Sequence, residues 1–356
     1  MRRVLLVSLL VSACGTSRQA PVPLEELPPR LAALYCENFE ACYGSLLTEL
    51  IVGGSLGCEG SFEATLTNQT VPAYRAAIEA GTLVYDGTRL AECEAALREL
   101  GCDLTVARFQ DFCEGALGGT LGAGEACSFD EECEGDAFCD YAGAACPGTC
   151  QARGASGAAC TSDAGCVSGL QCNGGSCRAP GGAGASCEGA TNVRCGPETI
   201  CLGADGATMR PGTCRTIEEA FSAALGATCD PSRQLCVEGA ACALTRIAGM
   251  SPVFECVAPS APGAACRFAI PDACPSGQYC AELDPSAIDF DGVCAPAPGA
   301  GEACGGIFGR CATGTRCVDG ACLAASENGA ACTTGAECFS GVCEAGTCAE
   351  PRLCGG

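Results

Sequence analysis

Apolar residues are spread unevenly along the chain, and the unevenness divides it. Between residues 30 and 121 they recur at helical spacing. Leu27, Leu31, Leu34 and Ala41 fall on one face and predict a first helix. Pro72 suits the first turn of another, which Gly81 ends. After Asp86, Leu90, Cys93, Leu97 and Leu100 share a face, with Gly101 as the C-terminal cap. Asp103 is placed to cap a further helix in which Val106, Phe109, Cys113 and Leu117 align. Four or five short helices are therefore expected over 30–121. Beyond residue 124 this periodicity is lost. Fifteen leucines lie between Leu27 and Leu121, but only eight between Cys127 and Cys354, a stretch more than twice as long. The first region can bury an apolar core; the second needs staples.

The second region has its own period, set by cysteine. The clearest copy is GAACTSDAGCVSGLQCNGGSC, with Cys160, Cys166, Cys172 and Cys177; the last is GAACTTGAECFSGVCEAGTC, with Cys332, Cys338, Cys343 and Cys348. Five more units open at Cys127, Cys187, Cys229, Cys266 and Cys304, each after Gly-Ala or Gly-Glu and one small residue. Five residues separate the second and third cysteines in every unit but the last. The gap to the fourth is longest, twelve or thirteen residues, in the middle three units, which marks exposed loops or hairpin tips. Thr216 and Glu219 form a capping box ahead of Ile217, Phe221 and Leu225, so a short helix is expected over 217–225. It divides the array into three units over 124–216 and four over 226–349, with a tail at 350–356.

Four cysteines allow three connectivities per unit. The reading preferred among them joins first to third and second to fourth. It pairs Cys127 with Cys139 and Cys133 with Cys150; Cys160 with Cys172 and Cys166 with Cys177; Cys187 with Cys201 and Cys195 with Cys214. The later units pair Cys229 with Cys242 and Cys236 with Cys256; Cys266 with Cys280 and Cys274 with Cys294; Cys304 with Cys317 and Cys311 with Cys322; Cys332 with Cys343 and Cys338 with Cys348. The expected fold is a small disulfide-bridged all-α domain followed by a disulfide-rich array of irregular chain and short β-hairpins.

The N-terminus carries an address. Arg2 and Arg3 precede an eight-residue apolar run, Val4 to Val11, too short to span a bilayer. The run ends in Val11-Ser12-Ala13-Cys14, which resembles a bacterial lipobox, so residues 1–13 read as a lipoprotein signal peptide and Cys14 as the lipid attachment site. Cysteine arithmetic agrees. The chain has 37 cysteines, and setting Cys14 aside leaves an even number. Six fall in the helical region (Cys36, Cys42, Cys58, Cys93, Cys102 and Cys113), twenty-eight in the units, and Cys146 and Cys354 are extra. Residues 14–29, polar and Pro-rich, read as a tether. Location in the cell envelope follows, anchored in a membrane by lipid; Gly15, where envelope sorting would otherwise read Asp, favours the outer membrane.

Composition narrows the chemistry. The net charge of −23 argues against nucleic acid as a partner. The chain has no histidine, and all nineteen basic residues are arginine. Ser-His-Asp and Cys-His sites, lysine Schiff bases and P-loops are excluded. Gly53-Gly54-Ser55-Leu56-Gly57 matches a nucleophile elbow but has no histidine partner and reads as a loop. No Cys-x2-Cys pair exists for zinc or iron–sulfur, so no metal or cofactor is expected. Asp289-Phe290-Asp291-Gly292 lacks the rest of a calcium loop and reads as an acidic turn, and Asp130-Glu131-Glu132 as solvated surface. The apolar helix faces read as core, with no ligand box.

The Cys-x5-Cys-x2-Gly-x2-Cys rhythm of the unit resembles the repeats of bacterial cysteine-rich lipoproteins matched to the Dickkopf N-terminal cysteine-rich domain, with EGF-like modules as near competitors. The chain departs from the animal module in having no adjacent Cys-Cys pair, so the resemblance implies no signalling activity. Function is expected to be structural, adhesive or protein-binding, without catalysis, toward a protein or surface partner. The alternative is an inhibitor or capture module for a soluble protein, with the long loops after Cys201, Cys242 and Cys280 carrying specificity. A carboxylate-dependent hydrolase is the remote third reading.

Overall fold

A computed structural model describes residues 20–350, apart from 49–56, 106, 142–146, 190–192, 206, 231–232, 249–250, 271–272, 276, 282–290, 306–309 and 313–314. The helical region opens with α1 (Leu27–Thr48). Next come α2 (Gly57–Thr65), a π-helical turn (Leu66–Thr70) and α3 (Val71–Ala80), which run on without a break. α4 (Leu90–Glu99) and α5 (Phe109–Cys113) complete the set. Pro72 sits in the first turn of α3 and Gly81 closes it at φ 77°. Leu27, Leu31, Leu34, Leu83, Leu90, Leu97 and Leu104 converge in one core with Tyr74 and Val71. Three bridges brace it, Cys36–Cys58, Cys42–Cys102 and, inside the core itself, Cys93–Cys113. Among the described residues no helix is long and apolar enough to cross a membrane.

Four expectations are corrected. The region is not all-α: Leu83–Tyr85 (β1) pairs antiparallel with Leu117–Gly119 (β2). Leu117 therefore lies in a strand, not on a helix begun at Asp103. The chain there forms a 3-10 turn (Gly101–Thr105), and α5 starts only after an extended Arg108. The tether does not reach residue 29. Leu24 and Leu27 are buried in the core, and the Val22 backbone is bonded to Gly87 and to the Tyr85 hydroxyl. Pro28 and Pro29 do not prevent this, because the first turn of α1 needs no donors there. The helix expected over 217–225 is a single turn, Ile217–Ala220, capped by the Thr216 hydroxyl. It stops because Ala223 is already used by the next unit.

That use of Ala223 reveals where a unit begins. Leu121, Gly154, Gly181, Ala223 and Ser326 each form a parallel bridge with the second cysteine of their unit. Each lies six residues before the first cysteine. Ser260 and Pro298, at the same position in the other two units, bond to the residue beside the second cysteine. A unit is thus an entry strand, a first cysteine, a crossing, and a hairpin carrying the third and fourth. The third and fourth cysteines face each other across the hairpin in every unit: Cys139↔Cys150, Cys172↔Cys177, Cys201↔Cys214, Cys242↔Cys256, Cys280↔Cys294, Cys317↔Cys322 and Cys343↔Cys348.

The glycine three residues before the first cysteine closes the unit. Gly124, Gly157, Gly184, Gly226, Gly263, Gly301 and Gly329 have φ between 73° and 91°. A Cβ there would meet no atom within 4 Å, so backbone conformation alone selects glycine. Each of these glycine N–H groups donates to the carbonyl of the fourth cysteine at 2.7–3.0 Å. The N–H of that cysteine donates back to the residue after the glycine at 2.7–2.9 Å. The Gly-Ala/Glu-small-Cys signature is therefore a two-bond clamp on the hairpin.

The array does not run away from the helices. Asn328, at the start of the seventh unit, donates its backbone N–H to Asn68 Oδ1 (3.3 Å) and its Nδ2 to the Asn68 carbonyl (3.1 Å). Gln69 Nε2 donates to the Phe339 carbonyl (3.0 Å). First and last parts of the described chain thus meet at the π-helical turn.

Candidate functional site

The cysteines were the residues most heavily weighted by sequence, and the structure places them as follows. In all seven units the first is bonded to the third and the second to the fourth, from Cys127–Cys139 and Cys133–Cys150 through Cys332–Cys343 and Cys338–Cys348. Three sulfurs in each of several units lie within 4.8 Å of one another. All are consumed in disulfides, so they offer no thiolate to a metal. Cys14, Cys146 and Cys354 lie outside the described residues, as does the elbow motif before Gly57. Asp291 and Gly292, the described residues of the 289–292 run, lie in a strand with Asp291 opposite Arg267, which corrects the expected acidic turn there.

The chemistry of the surface run Asp130-Glu131-Glu132 is different from a solvated face, and this corrects the sequence reading. Asp130 Oδ1 accepts the Cys139 N–H (3.0 Å). Asp163 does the same for Cys172 (2.8 Å), so this aspartate is a built-in acceptor for the hairpin. Glu132 is buried and accepts from the Ser128 N–H (2.5 Å) and the Thr82 hydroxyl (2.6 Å), which ties the first unit to the helices. Glu131, between them, faces a cavity.

That cavity, of about 630 Å³, lies between the helices and the first unit. α1 contributes Leu27, Leu31 and Tyr35, and α2 contributes Phe62. Ala73 and Tyr74 come from α3, Phe109 from α5, and Phe129 and Glu131 from the first unit. The size suits a small-molecule site. Its aromatic rings come in pairs. Tyr35 and Phe62 stack with centroids 5.7 Å apart and planes at 18°; Tyr74 and Phe129 lie 5.6 Å apart at 36°. Gln69 and Thr70 of the π-helical turn complete the wall, so the cavity adjoins the contact with the seventh unit.

Electrostatically the site is lopsided. Burial holds the Glu131 carboxyl above its ordinary value; Asp130 pushes the same way, while the Tyr74 hydroxyl and Arg153 pull it down. Burial raises the Tyr74 phenol well above the usual range and the Tyr35 phenol to about 12. Both rings are therefore neutral donors at ordinary pH. Among the described residues no arginine lines the cavity.

Sequence reasoning assigned these helix faces to core alone and missed the cavity. Its aromatic walls come from five separated segments, and no local spacing joins Tyr35, Phe62, Tyr74, Phe109 and Phe129. Glu131 carried no signal of its own in the sequence, standing in an acidic run between Asp130 and Glu132. No protein-family model, curated protein or solved structure matches the chain.

Proposed function

We propose that the mature chain is a lipid-anchored, non-catalytic binding protein of the bacterial cell envelope, and that the cavity between helices and first unit holds its ligand. The cavity carries this reading: about 630 Å³ of space, apolar and aromatic on most sides, with a carboxylate among few polar groups. Disulfide content supports folding in an oxidising compartment. The lipobox resemblance at Cys14 supports the anchor, and the likeness of the units to those of cysteine-rich lipoproteins fits it. The lack of histidine and lysine favours binding over catalysis. The contacts of Asn328 and Gln69 weigh against a free stalk, since they return the seventh unit to the helices.

The chain has no tryptophan, so Phe62→Trp gives a reporter in the cavity wall without background. Emission should shift with a subset of small amphipathic probes. Ala73→Leu, which fills the cavity, should weaken those shifts about tenfold. If no probe shifts the emission, or Ala73→Leu leaves the shifts intact, the cavity is not a binding site. Acyl labelling should be lost in Cys14→Ser.

A second reading has one observation of its own. Met209 and Ile247, in the long third-to-fourth gaps of the third and fourth units, are 53% and 41% exposed. Apolar tips of this kind suit capture of a protein partner. Exchanging the two gaps would then abolish capture while the bridges stay intact.

A further inference from the structure

We propose that the ligand of the cavity is a small organic cation, an alkyl- or aryl-ammonium whose charge rests between the aromatic rings and the Glu131 carboxylate. This rests on the reading of the cavity as the ligand site and adds the chemical class.

Three observations point the same way. The walls present Tyr35, Phe62, Tyr74, Phe109 and Phe129, whose ring faces attract a cation once water is excluded. Among the described residues Glu131 is the one carboxylate in the wall, and no basic side chain lines it. An anionic ligand would find no counter-charge and would meet Glu131 at close range. Among the described residues Glu131 makes no ion pair, although a partly buried carboxylate is costly to leave uncompensated. Its neighbours in the run hold local donors: Asp130 the Cys139 N–H, Glu132 the Ser128 N–H and the Thr82 hydroxyl. Glu131 is hydrogen-bonded to the Tyr74 hydroxyl, and a carboxylate held among aromatic rings with no cationic partner is the group a cationic ligand would complete. The net charge of −23 also concentrates cations near the protein surface.

Binding is then linked to protonation. The groups acting on Glu131 are Asp130, Arg153 and the Tyr74 hydroxyl, with Tyr35 on the opposite wall. The two tyrosines stay neutral across the working range. Glu131, raised by burial, is the group that must ionise for the cation. Affinity for a permanent cation should therefore rise with pH as Glu131 loses its proton, whereas affinity for a neutral molecule of the same shape should not.

The test is calorimetric titration of the oxidised mature chain with three probes: benzyltrimethylammonium, its neutral isostere neopentylbenzene, and phenylacetate. The cation is expected to bind about tenfold more tightly than the isostere. Phenylacetate should bind weakest. In Glu131→Gln the preference for the cation should fall below about threefold, with the isostere unchanged. Should Glu131→Gln fail to fold, a pH series on the unaltered chain carries the test: cation affinity must rise from acid to neutral pH as Glu131 loses its proton, while isostere affinity stays flat. Equal binding of cation and isostere, or a flat pH profile for both, overturns the cation assignment and leaves the cavity a neutral-ligand site. If none of the three binds, the cavity reading falls with it.

Discussion

The helical region and the array solve the same problem, closing a chain around something dry, with different materials. In the helices the dry centre is leucine: Leu34, Leu90 and Leu97 are fully buried. Bridges there brace a core that leucine fills, Cys93–Cys113 from within it. In the array the dry centre is sulfur. The four cysteines of the first unit are 0–3% exposed and form their own cluster, with Leu121 and Ala137 packed against it. Each array bridge spans 10–20 residues, and the chain-entropy estimate for about 15 residues is about 3 kcal/mol. Two per unit exceed what the few small side chains around them supply. The difference teaches that oxidation is an added constraint in one half and the foundation of the other.

Removing bridges should therefore break the two halves unequally, and this is the largest expected effect. Replacing Cys166 and Cys177 by serine should unfold the second unit, read as new proteolytic cleavage within residues 154–178. The matched change at Cys93 and Cys113 should leave the helical signal in circular dichroism in place, at a lower melting temperature. Loss of that signal in the second variant would erase the distinction.

Leucine truncation should give the opposite ranking. Leu97→Ala empties a fully buried site and should cost about 2–5 kcal/mol. Leu170→Ala, at a partly exposed position in the second unit, should cost under about 1 kcal/mol. Chemical denaturation under oxidising conditions measures both. Similar costs at the two sites would mean that the array has an apolar core after all.

Backbone requirements come next in size. Gly184 holds φ 84°, with open space where a Cβ would stand. Gly184→Ala should cost about 1–2 kcal/mol through conformation alone. Gly182→Ala, two residues away, also meets no atom and does not share the positive φ, so it should cost little. Thermal shifts of the pair separate a clamp from a spacer.

How much of this could be read from sequence follows from the same contrast. Leucine periodicity located α1 and α4 because a buried stripe imposes a spacing of three and four residues, and α3 was marked by Pro72 at its start and Gly81 at its end. It failed at Leu117, whose burial is served by a two-stranded ribbon, since three residues cannot show a period. The repeat was visible because cysteines are its core and stand at near-fixed intervals. Its true start, six residues before the first cysteine, was not. That position is chosen for backbone bonds, and Leu121, Gly154, Ser260 and Pro298 serve equally. The cavity was the least legible part, because it is made of contacts between segments as distant as Tyr35 and Phe129. The Asp130-Glu131-Glu132 run shows the limit plainly: of three adjacent acids, two accept backbone N–H groups and one faces a cavity.

The smallest effect tests where the two halves meet last. Asn328 donates to Asn68 through both its backbone and its amide, and its own Oδ1 is buried without a partner. Asn328→Ala removes one bond but also one stranded acceptor, so the net cost should be near or below about 1 kcal/mol. The bridges Cys332–Cys343 and Cys338–Cys348 should keep the seventh unit folded. What should change is its hold on the π-helical turn: hydrogen exchange at Asn68, Gln69 and Phe339 should speed up by at most about fivefold. Exchange inside the second unit should not move. If the whole array loosened together, the seventh unit would be supporting its neighbours, and the picture of separately stapled units would give way to one closed body.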